Sequence, residues 1–421
     1  MDSYFTKKSA WKSLSPHKSV LFSSTSGWLL DAFDFTILLF LLTTIGKAFH
    51  VSLVDMALVL TGTLFAKVIG NIVFGRWADK TGRKFPFMFG VLWFAAFAGL
   101  SGLAWNYESF FIFRVIFGIG FGGQWSAAAP LLMESVPSEG KGLASGIMMA
   151  GWEMGYSLSA LAYLFLFPIL GWRPMFALAI VPALIVAIFT NYRVKETFTE
   201  ELRKAKKTVK IKYNKYVNGG ALQGWAFLGA INFLGYAAWS LYPTFLETVR
   251  HFSPGYIFIL IFAYSLASIF GKPINGYALK YTNDRILPAI YMILVIPSTF
   301  IYLIYSLFSV MILGAVLIGL FANSIFGIVP VYLGKRFPEE ARAFGSGTGY
   351  AVAGVTGGIA PYLVALLTIP YGLELSMTFF IIAAAIVSLG IALIKPKSLA
   401  ITEKDLKSEG GWVGVDKEFA K

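Results

Sequence analysis

Three carboxylates interrupt stretches of sequence that are otherwise apolar. Asp31 and Asp34 lie in GWLLDAFDFTILLF, and Glu153 lies in MMAGWEMGYSLSA. The two aspartates are three residues apart and therefore share one face of a helix. Lys67, in TLFAKVIGN, is a basic residue in the same kind of setting. An isolated charge in the middle of a membrane-spanning helix costs about 2.5–3.5 kcal/mol on insertion scales. We therefore predict that Asp31 pairs with Lys67 and that Asp31, Asp34 and Glu153 are the proton-coupling residues.

Each of these ionisable residues also has a purely structural interpretation. Lys67 would then only neutralise a buried carboxylate, and Glu153 would be a protonated acid that bonds a neighbouring helix. Arg114 lies about two turns inside its apolar stretch, so it either meets an anion or extends its guanidinium to the membrane surface. Lys272 is predicted to reach the surface in this second way. Asp34 is the favoured proton carrier because it is nearer the middle of its stretch.

Polar and aromatic residues in other apolar stretches have the chemistry of a small-molecule site. Ligand pockets combine apolar and aromatic walls with a few placed polar groups. For any single aromatic residue, packing in the membrane or at its surface is the alternative interpretation. The predicted substrate-binding residues are Lys67, Arg114, Gln124, Asn232, Tyr236, Trp239, Asn323 and Tyr350.

The composition excludes several kinds of chemistry. The chain has no cysteine and 3 histidines, so neither a thiolate nor a histidine metal site is expected. We find no nucleophile–base pair, and we predict no enzyme, no metal and no cofactor, with the proton as the coupling ion. GIGFGG (118–123) fits the G-x-G-x-x-G spacing of dinucleotide sites. That fingerprint requires a preceding strand, whereas here it lies in an apolar stretch, where small residues let helices pack closely.

The elements that hold these residues are membrane-spanning helices. Of the 421 residues, 57% are hydrophobic and 14% are charged, against about 25% charged in ordinary globular domains. Apolar runs of roughly 18–25 residues, long enough to cross a bilayer as helices, recur along the chain. They predict an all-α integral membrane protein with about twelve spans, near residues 20–45, 54–77, 85–104, 108–132, 141–168, 172–190, 219–247, 255–280, 285–306, 308–335, 343–368 and 371–394.

The basic residues are distributed very unevenly between the predicted loops. With both termini in the cytoplasm, 29 of the 35 Lys and Arg residues fall in cytoplasmic segments, 3 in external loops and 3 within spans. This is a strong positive-inside pattern. It explains the net charge of +13 without nucleic acid and predicts a multi-pass plasma-membrane protein. No cleavable signal peptide is visible at the N-terminus.

The spans divide into two halves that repeat each other at an offset of about 200 residues. For example, VPSEGKGLASG (136–146) corresponds to FPEEARAFGSG (337–347). Parallel repeats of six helices are typical of transporters that rock two bundles about a central site. We expect the face with Asp31 and Asp34 to look into the cavity between them. The predicted domains are an N-terminal six-helix bundle (1–190), a basic cytoplasmic linker (191–218) that orients the chain or binds lipid headgroups, a C-terminal six-helix bundle (219–394) and a cytoplasmic tail (395–421).

GRWADKTGRK (75–84) has the most specific residue spacing in the chain. We interpret it as a cytoplasmic gate. In it Gly75 allows close helix approach, Asp79 lies at the positive N-terminal end of a helix, and Arg83 pairs with Glu134. The alternative is a basic turn that only orients the protein. The predicted gate residues are Gly75, Asp79, Lys80, Gly82, Arg83, Lys84 and Glu134.

This stretch matches, at every defined position, the G-x-x-x-D-[RK]-x-G-[RK]-[RK] signature of the major facilitator superfamily, which the chain resembles. GWLLDAFDF, RVIFGIGFGGQWS, GWRPMF and YPTFL further resemble the sialate:proton symporter family, which includes monocarboxylate–proton symporters of the lactate permease type. The resemblance implies two six-helix bundles and proton-coupled carboxylate transport. The chain departs from it at Gln124, where family members commonly carry Glu, and at YAAWS (236–240), where the family has a charged motif.

We therefore expect a secondary active transporter that imports a small organic anion with protons by alternating access. The absence of the proline-containing antiporter pattern in GIMMAGWEMGYSL favours a symporter or a uniporter. The alternatives are a transporter of a neutral solute such as a sugar, polyol or amino acid, and a membrane sensor that does not transport. The expected partners are a small-molecule substrate, protons and membrane lipids, with the chain working as a monomer and without nucleic acid.

Overall fold

The computed structural model describes residues 12–197, 217–278, 282, 285–334, 336–337 and 342–394. Most of the predicted linker and the whole predicted tail therefore lie outside the described residues. The long helices are α1 (Lys18–Phe49), α2 (Leu53–Thr81), α3 (Lys84–Gly102), α4 (Tyr107–Ser135), α5 (Ser138–Phe165), α6 (Ile180–Arg193), α7 (Gly219–Trp239), α8 (Pro254–Ala278), α9 (Ile286–Leu303), α10 (Phe308–Ile318) and a last helix, Arg342–Leu393.

The last helix is interrupted at Gly372, whose φ of 78° lies in the region that favours glycine. We name the parts before and after Gly372 α11 and α12, so that the described residues contain twelve long helices. Shorter helical segments are Ser15–His17, Phe167–Leu170, Trp172–Met175, Tyr242–Thr248 and Val329–Gly334.

The outer surface of the molecule is apolar, as a membrane protein requires. Nine stretches of the described residues are long and apolar enough to cross a membrane, and one of them, Gly347–Leu393, contains the break at Gly372. Large apolar side chains face outward along the helices, for example Ile69, Ile112 and Phe379, each more than half exposed. The prediction of an all-helical integral membrane protein is confirmed.

Two predicted spans are divided. The span predicted at 219–247 ends as α7 at Trp239 and resumes as Tyr242–Thr248. The span predicted at 172–190 is a four-residue helix, Trp172–Met175, followed by α6. Apolar periodicity does not register such interruptions, because the backbone turns while the side chains stay apolar.

Capping side chains fix two helix starts at the end of the molecule opposite residues 75–84. Ser52 and Asp55 form a capping box at the start of α2, and Asn106 and Ser109 do the same for α4. In each, a side chain satisfies a backbone N–H that has no partner within the helix. We call this end of the molecule the opposite end, and the end that carries residues 75–84 the basic end.

The helices form two six-helix bundles, α1–α6 and α7–α12. In the first bundle α4 packs against α2 and α3, and α1 packs against α5. In the second, α7 packs against the last helix and α8 against α10. The bundles meet where α5 contacts α8 and where α2 contacts α11.

The helical winding changes in the continuation of α10. After Ile318 the chain makes a π-helical turn, Gly319–Asn323, and then a 3₁₀ turn, Ser324–Ile328. Such departures from α geometry are frequent at functional sites. Here the change of winding accompanies two residues of the cavity described next, Asn323 and Phe326.

Candidate functional site

A cavity of about 120 Å³ lies between the two bundles. Both bundles contribute to its walls, and the contributing helices are α1, α2, α4, α5, α7, α8, the continuation of α10, and α11. The lining residues are Trp28, Leu64, Lys67, Asn71, Trp125, Met149, Trp152, Glu153, Asn232, Gly235, Tyr236, Trp239, Lys272, Asn323, Phe326, Tyr350, Ala353 and Gly354.

Lys67 lines this cavity from α2 and is held by aromatic rings. Its Nζ lies 3.5 Å from the ring centroid of Phe121, 5.2 Å from that of Trp28 and 5.5 Å from that of Trp152. The side chain is half-buried. Among the described residues no carboxylate makes an ion pair with Lys67, so the predicted direct pair with Asp31 is not formed. The two charges attract each other only through space.

Asp31 and Asp34 lie in the interior of the first bundle. Both are fully buried, and all four carboxylate oxygens lack a hydrogen-bond partner among the described residues. Neither lines the cavity, contrary to the expected orientation of their shared face. The reason is the packing of α1 against α5, α4 and α6 of its own bundle, which encloses Asp31 and Asp34.

Arg114 is also fully buried, so the interpretation that it reaches the membrane surface is wrong. Its Nη2 donates to the backbone carbonyl oxygen of Asp34 at 3.3 Å, and its guanidinium carbon lies 4.0 Å from the ring centroid of Phe117. Gln124 is fully buried beside Gly27, and its side-chain N and O atoms have no partner in the described part of the chain. Neither Arg114 nor Gln124 lines the cavity.

Glu153 forms an ion pair across the two bundles. Lys272 Nζ of α8 lies 2.5 Å from Glu153 Oε1 of α5, and Lys272 is only 9% exposed. The prediction that Lys272 reaches the membrane surface is therefore wrong, because a buried counter-charge lies within its reach. Asn323 Nδ2 donates to the same oxygen at 3.0 Å, and Ser268 Oγ lies 3.3 Å from it. Ser268 was not singled out from the sequence, where it is one of many serines in apolar stretches.

Aromatic rings form most of the remaining cavity wall. Besides Lys67, the predicted substrate-binding residues that line the cavity are Asn232, Tyr236, Trp239, Asn323 and Tyr350. The sequence interpretation overlooked three tryptophans of the first bundle that also line the cavity, Trp28, Trp125 and Trp152. The available signal was that Trp28 lies near Asp31, that Trp152 precedes Glu153 and that Trp125 follows Gln124. Ring centroids are 4.3 Å apart for Trp28–Trp125, 5.1 Å for Trp28–Trp152 and 5.9 Å for Trp152–Trp239.

The glycines of the G-x-G-x-x-G stretch pack helices together. A Cβ on Gly118 would lie 2.2 Å from the Thr63 carbonyl oxygen, and one on Gly122 would lie 2.0 Å from the Lys67 carbonyl oxygen. These glycines therefore bring the backbones of α4 and α2 into contact. They do so next to Lys67 and hold its backbone in place.

A network of charges ties the turn between α2 and α3 to α4 at the basic end. Arg83 Nη1 lies 2.8 Å from Asp79 Oδ1, and Arg83 Nη2 lies 3.3 Å from Glu134 Oε1, which is the pairing predicted. Gly82 has a φ of 111°, and Lys84 Nζ donates to the Asn191 carbonyl oxygen at 2.6 Å. Lys80 is exposed.

Two features of this network differ from the expectation. A Cβ on Gly75 would meet nothing closer than 3.8 Å, so Gly75 does not serve close helix approach in this structure. The start of α3 is capped by Glu196, whose carboxylate accepts the backbone N–H of Arg83 at 2.8 Å and of Lys84 at 2.9 Å. Glu196 lies more than 100 residues away in sequence, which is why spacing did not reveal it.

The bundles also touch toward the opposite end. Thr43 Oγ1 of α1 donates to Glu247 Oε2, beyond α7, at 2.6 Å. Thr61 Oγ1 donates to the Gly358 carbonyl oxygen at 2.7 Å, and Tyr156 OH donates to the Trp239 carbonyl oxygen at 3.3 Å. These bonds hold the bundles together on that side of the cavity.

Known proteins resemble this chain over nearly its whole length. The family model of the Major Facilitator Superfamily matches residues 26–259 and 225–417. The sialic acid transporter NanX of Escherichia coli is 28% identical over 402 residues, covering 90% of this chain and 94% of that protein. The cis,cis-muconate transport protein of Acinetobacter baylyi is 26% identical over 390 residues, covering 86% and 90%. The crystal structure of a bacterial homolog of the human lysosomal transporter Spinster, inward-facing and occupied, is similar in fold, with a TM-score of 0.74, 17% identity and coverage of 89% and 97%.

Proposed function

This chain belongs to the major facilitator superfamily and is a multi-pass membrane transporter rather than an enzyme, and on that premise we propose that it is a proton-coupled symporter of a small organic carboxylate. The names of the two curated relatives, a sialic acid transporter and a muconate transport protein, support an acidic substrate. The coupling ion is the proton, and the activity needs no cofactor. The chain works as a monomer.

The observation that carries the proposal is the position of Lys67. It is a half-buried cation that lines a cavity between the bundles, and no carboxylate of the described residues neutralises it by contact. Cation–π contacts hold an ammonium group while leaving its net charge in place. An organic anion that enters the cavity therefore finds one uncompensated positive charge.

Three carboxylates supply the proton coupling. Asp31 and Asp34 are buried near Lys67 and Arg114, and their carboxylate oxygens make no hydrogen bond with the described residues. Protons therefore stabilise these carboxylates when substrate engages Lys67. Glu153 holds Lys272 of the other bundle, and a proton on Glu153 would weaken that ion pair. One carboxylate anion and one proton crossing together move no net charge. Each promotes the binding of the other, as thermodynamic coupling requires.

The proposal includes an orientation of the chain in the membrane. The basic end, which carries the turn 75–84, faces the cytoplasm, where the positive-inside rule places it. Both termini are then cytoplasmic and the membrane is the plasma membrane. The N-terminal (1–190) and C-terminal (219–394) bundles are the two units that rock about the cavity, joined by the linker 191–218.

Transport by purified protein in liposomes tests the coupling. Asp31→Asn and Asp34→Asn are expected to abolish accumulation of a radiolabelled carboxylate driven by an imposed pH gradient, while exchange of internal for external substrate continues. Glu108→Gln, which changes an exposed carboxylate at the start of α4, is the control and should accumulate normally. Undiminished proton-driven accumulation by both aspartate variants would refute the assignment.

A neutral solute is the alternative substrate, and one observation favours it. Lys272 is neutralised by Glu153, and Gln124 carries no charge, so an acidic substrate would depend on Lys67 alone among the cavity residues. A neutral solute needs no such cation. Competition for uptake between organic acids and sugars, polyols or amino acids separates the two. Inhibition by neutral solutes alone would establish the alternative.

A further inference from the structure

We propose that the substrate is an aromatic monocarboxylate whose carboxylate binds Lys67 and whose ring lies against the tryptophans of the cavity. This inference rests on the carboxylate transport proposed above and names the substrate class of the same cavity. Three features of the cavity support it: the environment of its cation, its aromatic walls and its mostly apolar lining.

The cation is presented beside π faces. Lys67 Nζ lies within 5.5 Å of the ring centroids of Trp28 and Trp152, and all three residues line the cavity. A carboxylate that reaches this ammonium group brings the group attached to it against the same two indoles. A flat ring uses those contacts, because aromatic pairs gain from offset or edge-to-face stacking beyond the area that they bury.

Aromatic residues of both bundles continue this wall. Trp125 stands 4.3 Å from Trp28, centroid to centroid, on the first bundle, and Tyr236 stands 4.6 Å from Trp239 on the second. Trp152 and Trp239, 5.9 Å apart, connect the two sets across the interface between the bundles. A ring bound at Lys67 is therefore adjacent to indoles of both bundles.

The lining of the cavity is mostly apolar and aromatic. Glu153, Lys272 and Asn323 line the cavity, but they are bonded to one another at 2.5 and 3.0 Å. The other polar side chains of the lining are Asn71, Asn232, Tyr236 and Tyr350. A polyhydroxylated acid would also place hydroxyl groups against the apolar wall, where a buried polar group without a partner is disfavoured. A short hydroxy acid would leave the aromatic walls unused.

The pairing of Glu153 with Lys272 also limits the substrate to one carboxylate. A second carboxylate on the far side of the ring would approach a lysine that already has a counter-ion, together with the negative charge of Glu153 itself. Such like-charge repulsion is a common way to reject a competing ligand. The cavity therefore offers one anion site, at Lys67.

Ligand binding to the purified, full-length protein tests this inference, with quenching of tryptophan fluorescence as the readout. Benzoate is the probe, compared with cyclohexanecarboxylate, which lacks the aromatic ring, benzamide, which lacks the charge, terephthalate, lactate and N-acetylneuraminate. We expect benzoate to bind at least 10-fold more tightly than each of the others. Equal affinity for cyclohexanecarboxylate, or tighter binding of terephthalate, lactate or N-acetylneuraminate, would overturn the inference.

Variants assign the selectivity to particular residues. Lys67→Met should remove the preference for benzoate over benzamide, and Trp152→Leu should reduce the preference for benzoate over cyclohexanecarboxylate at least 3-fold. Lys47→Met and Trp105→Leu, which alter exposed residues outside the cavity, are the matched controls and should keep both preferences. The ligand comparison on the unaltered protein decides the inference even if a variant fails to fold.

Uptake into liposomes separates this inference from the proposed function. If lactate or N-acetylneuraminate is accumulated with protons and benzoate neither binds nor competes, the substrate class is wrong and carboxylate symport stands. If none of the acids is accumulated or bound, the proposed function fails as well.

Discussion

At the scale of single residues, the Glu153–Lys272 pair is the contact with the largest consequence. It lies inside the molecule, joins α5 to α8 and so connects the two bundles. Breaking a buried ion pair by removing one partner costs roughly 3–5 kcal/mol, because the other charge is left buried and uncompensated, whereas removing both charges costs far less. This asymmetry makes the pair testable by a double-mutant cycle.

Glu153→Gln should therefore lower the free energy of unfolding by about 3 kcal/mol or more, since Lys272 loses its counter-charge. Glu153→Gln combined with Lys272→Gln should recover most of that loss. Thermal unfolding in one detergent, followed by tryptophan fluorescence, measures both, and Glu108→Gln serves as the exposed control. A double variant as unstable as the single one would contradict a direct interaction between the two side chains.

At the scale of elements, close packing of α2 against α4 determines where Lys67 lies. The backbones approach so closely that a Cβ on Gly70 would lie 2.0 Å from the Ile119 carbonyl oxygen, and one on Gly122 would lie 2.0 Å from that of Lys67. In membranes, small residues allow this approach, and dispersion contacts between the helices then stabilise it. The glycines at this contact thus serve both folding and the site.

Gly122→Ala should separate the two helices, at a cost of about 1–3 kcal/mol for an overpacked contact, and should weaken substrate binding because the backbone of Lys67 moves. Gly142→Ala is the matched control in α5, where no atom lies within 4 Å of the added Cβ. It should be neutral or stabilising by up to about 1 kcal/mol, since alanine favours a helix over glycine. Thermal unfolding and ligand titration measure both effects, and equal behaviour of the two variants would refute the packing argument.

At the scale of the whole molecule, the contacts toward the opposite end keep the cavity closed on that side. The hydrogen bond from Thr43 to Glu247 joins the end of the first helix to the segment beyond α7 in the other bundle. Alternating access requires such contacts to part when the cavity opens on that side. The natural chain has no cysteine, so introduced thiols are the only ones present.

Thr43→Cys with Glu247→Cys, cross-linked by a short bifunctional thiol reagent that does not cross membranes, should lose more than 90% of uptake in intact cells. The cross-link prevents the bundles from separating at this end, while fluorescence should show that substrate still binds to the purified protein. Each single-cysteine variant, treated in the same way, is the control. Continued uptake after complete cross-linking would refute the role of this contact. Cross-linking in inverted vesicles but not in intact cells would reverse the proposed orientation.

Much of the architecture could be predicted from the sequence. Apolar runs of membrane-crossing length gave the helices, and the spacing of Gly, Asp and Arg in residues 75–84 gave the pairing of Arg83 with Glu134. The apolar runs are visible in the sequence because a chain segment in lipid must form its backbone hydrogen bonds within itself, as a helix does. The spacing in residues 75–84 is a local pattern. The interruptions after Trp239 and at the start of α6 were not visible, because an apolar turn looks like an apolar helix.

What the sequence by itself determined is which residues are out of place in a membrane, namely Asp31, Asp34, Lys67, Arg114 and Glu153. The tertiary structure alone decided their partners. Glu153 meets Lys272 rather than another residue of its own half, and Lys67 meets aromatic rings rather than the carboxylate of Asp31. The physical reason is that desolvation makes a buried charge costly wherever it occurs in the chain, whereas its partner depends on which helices pack side by side.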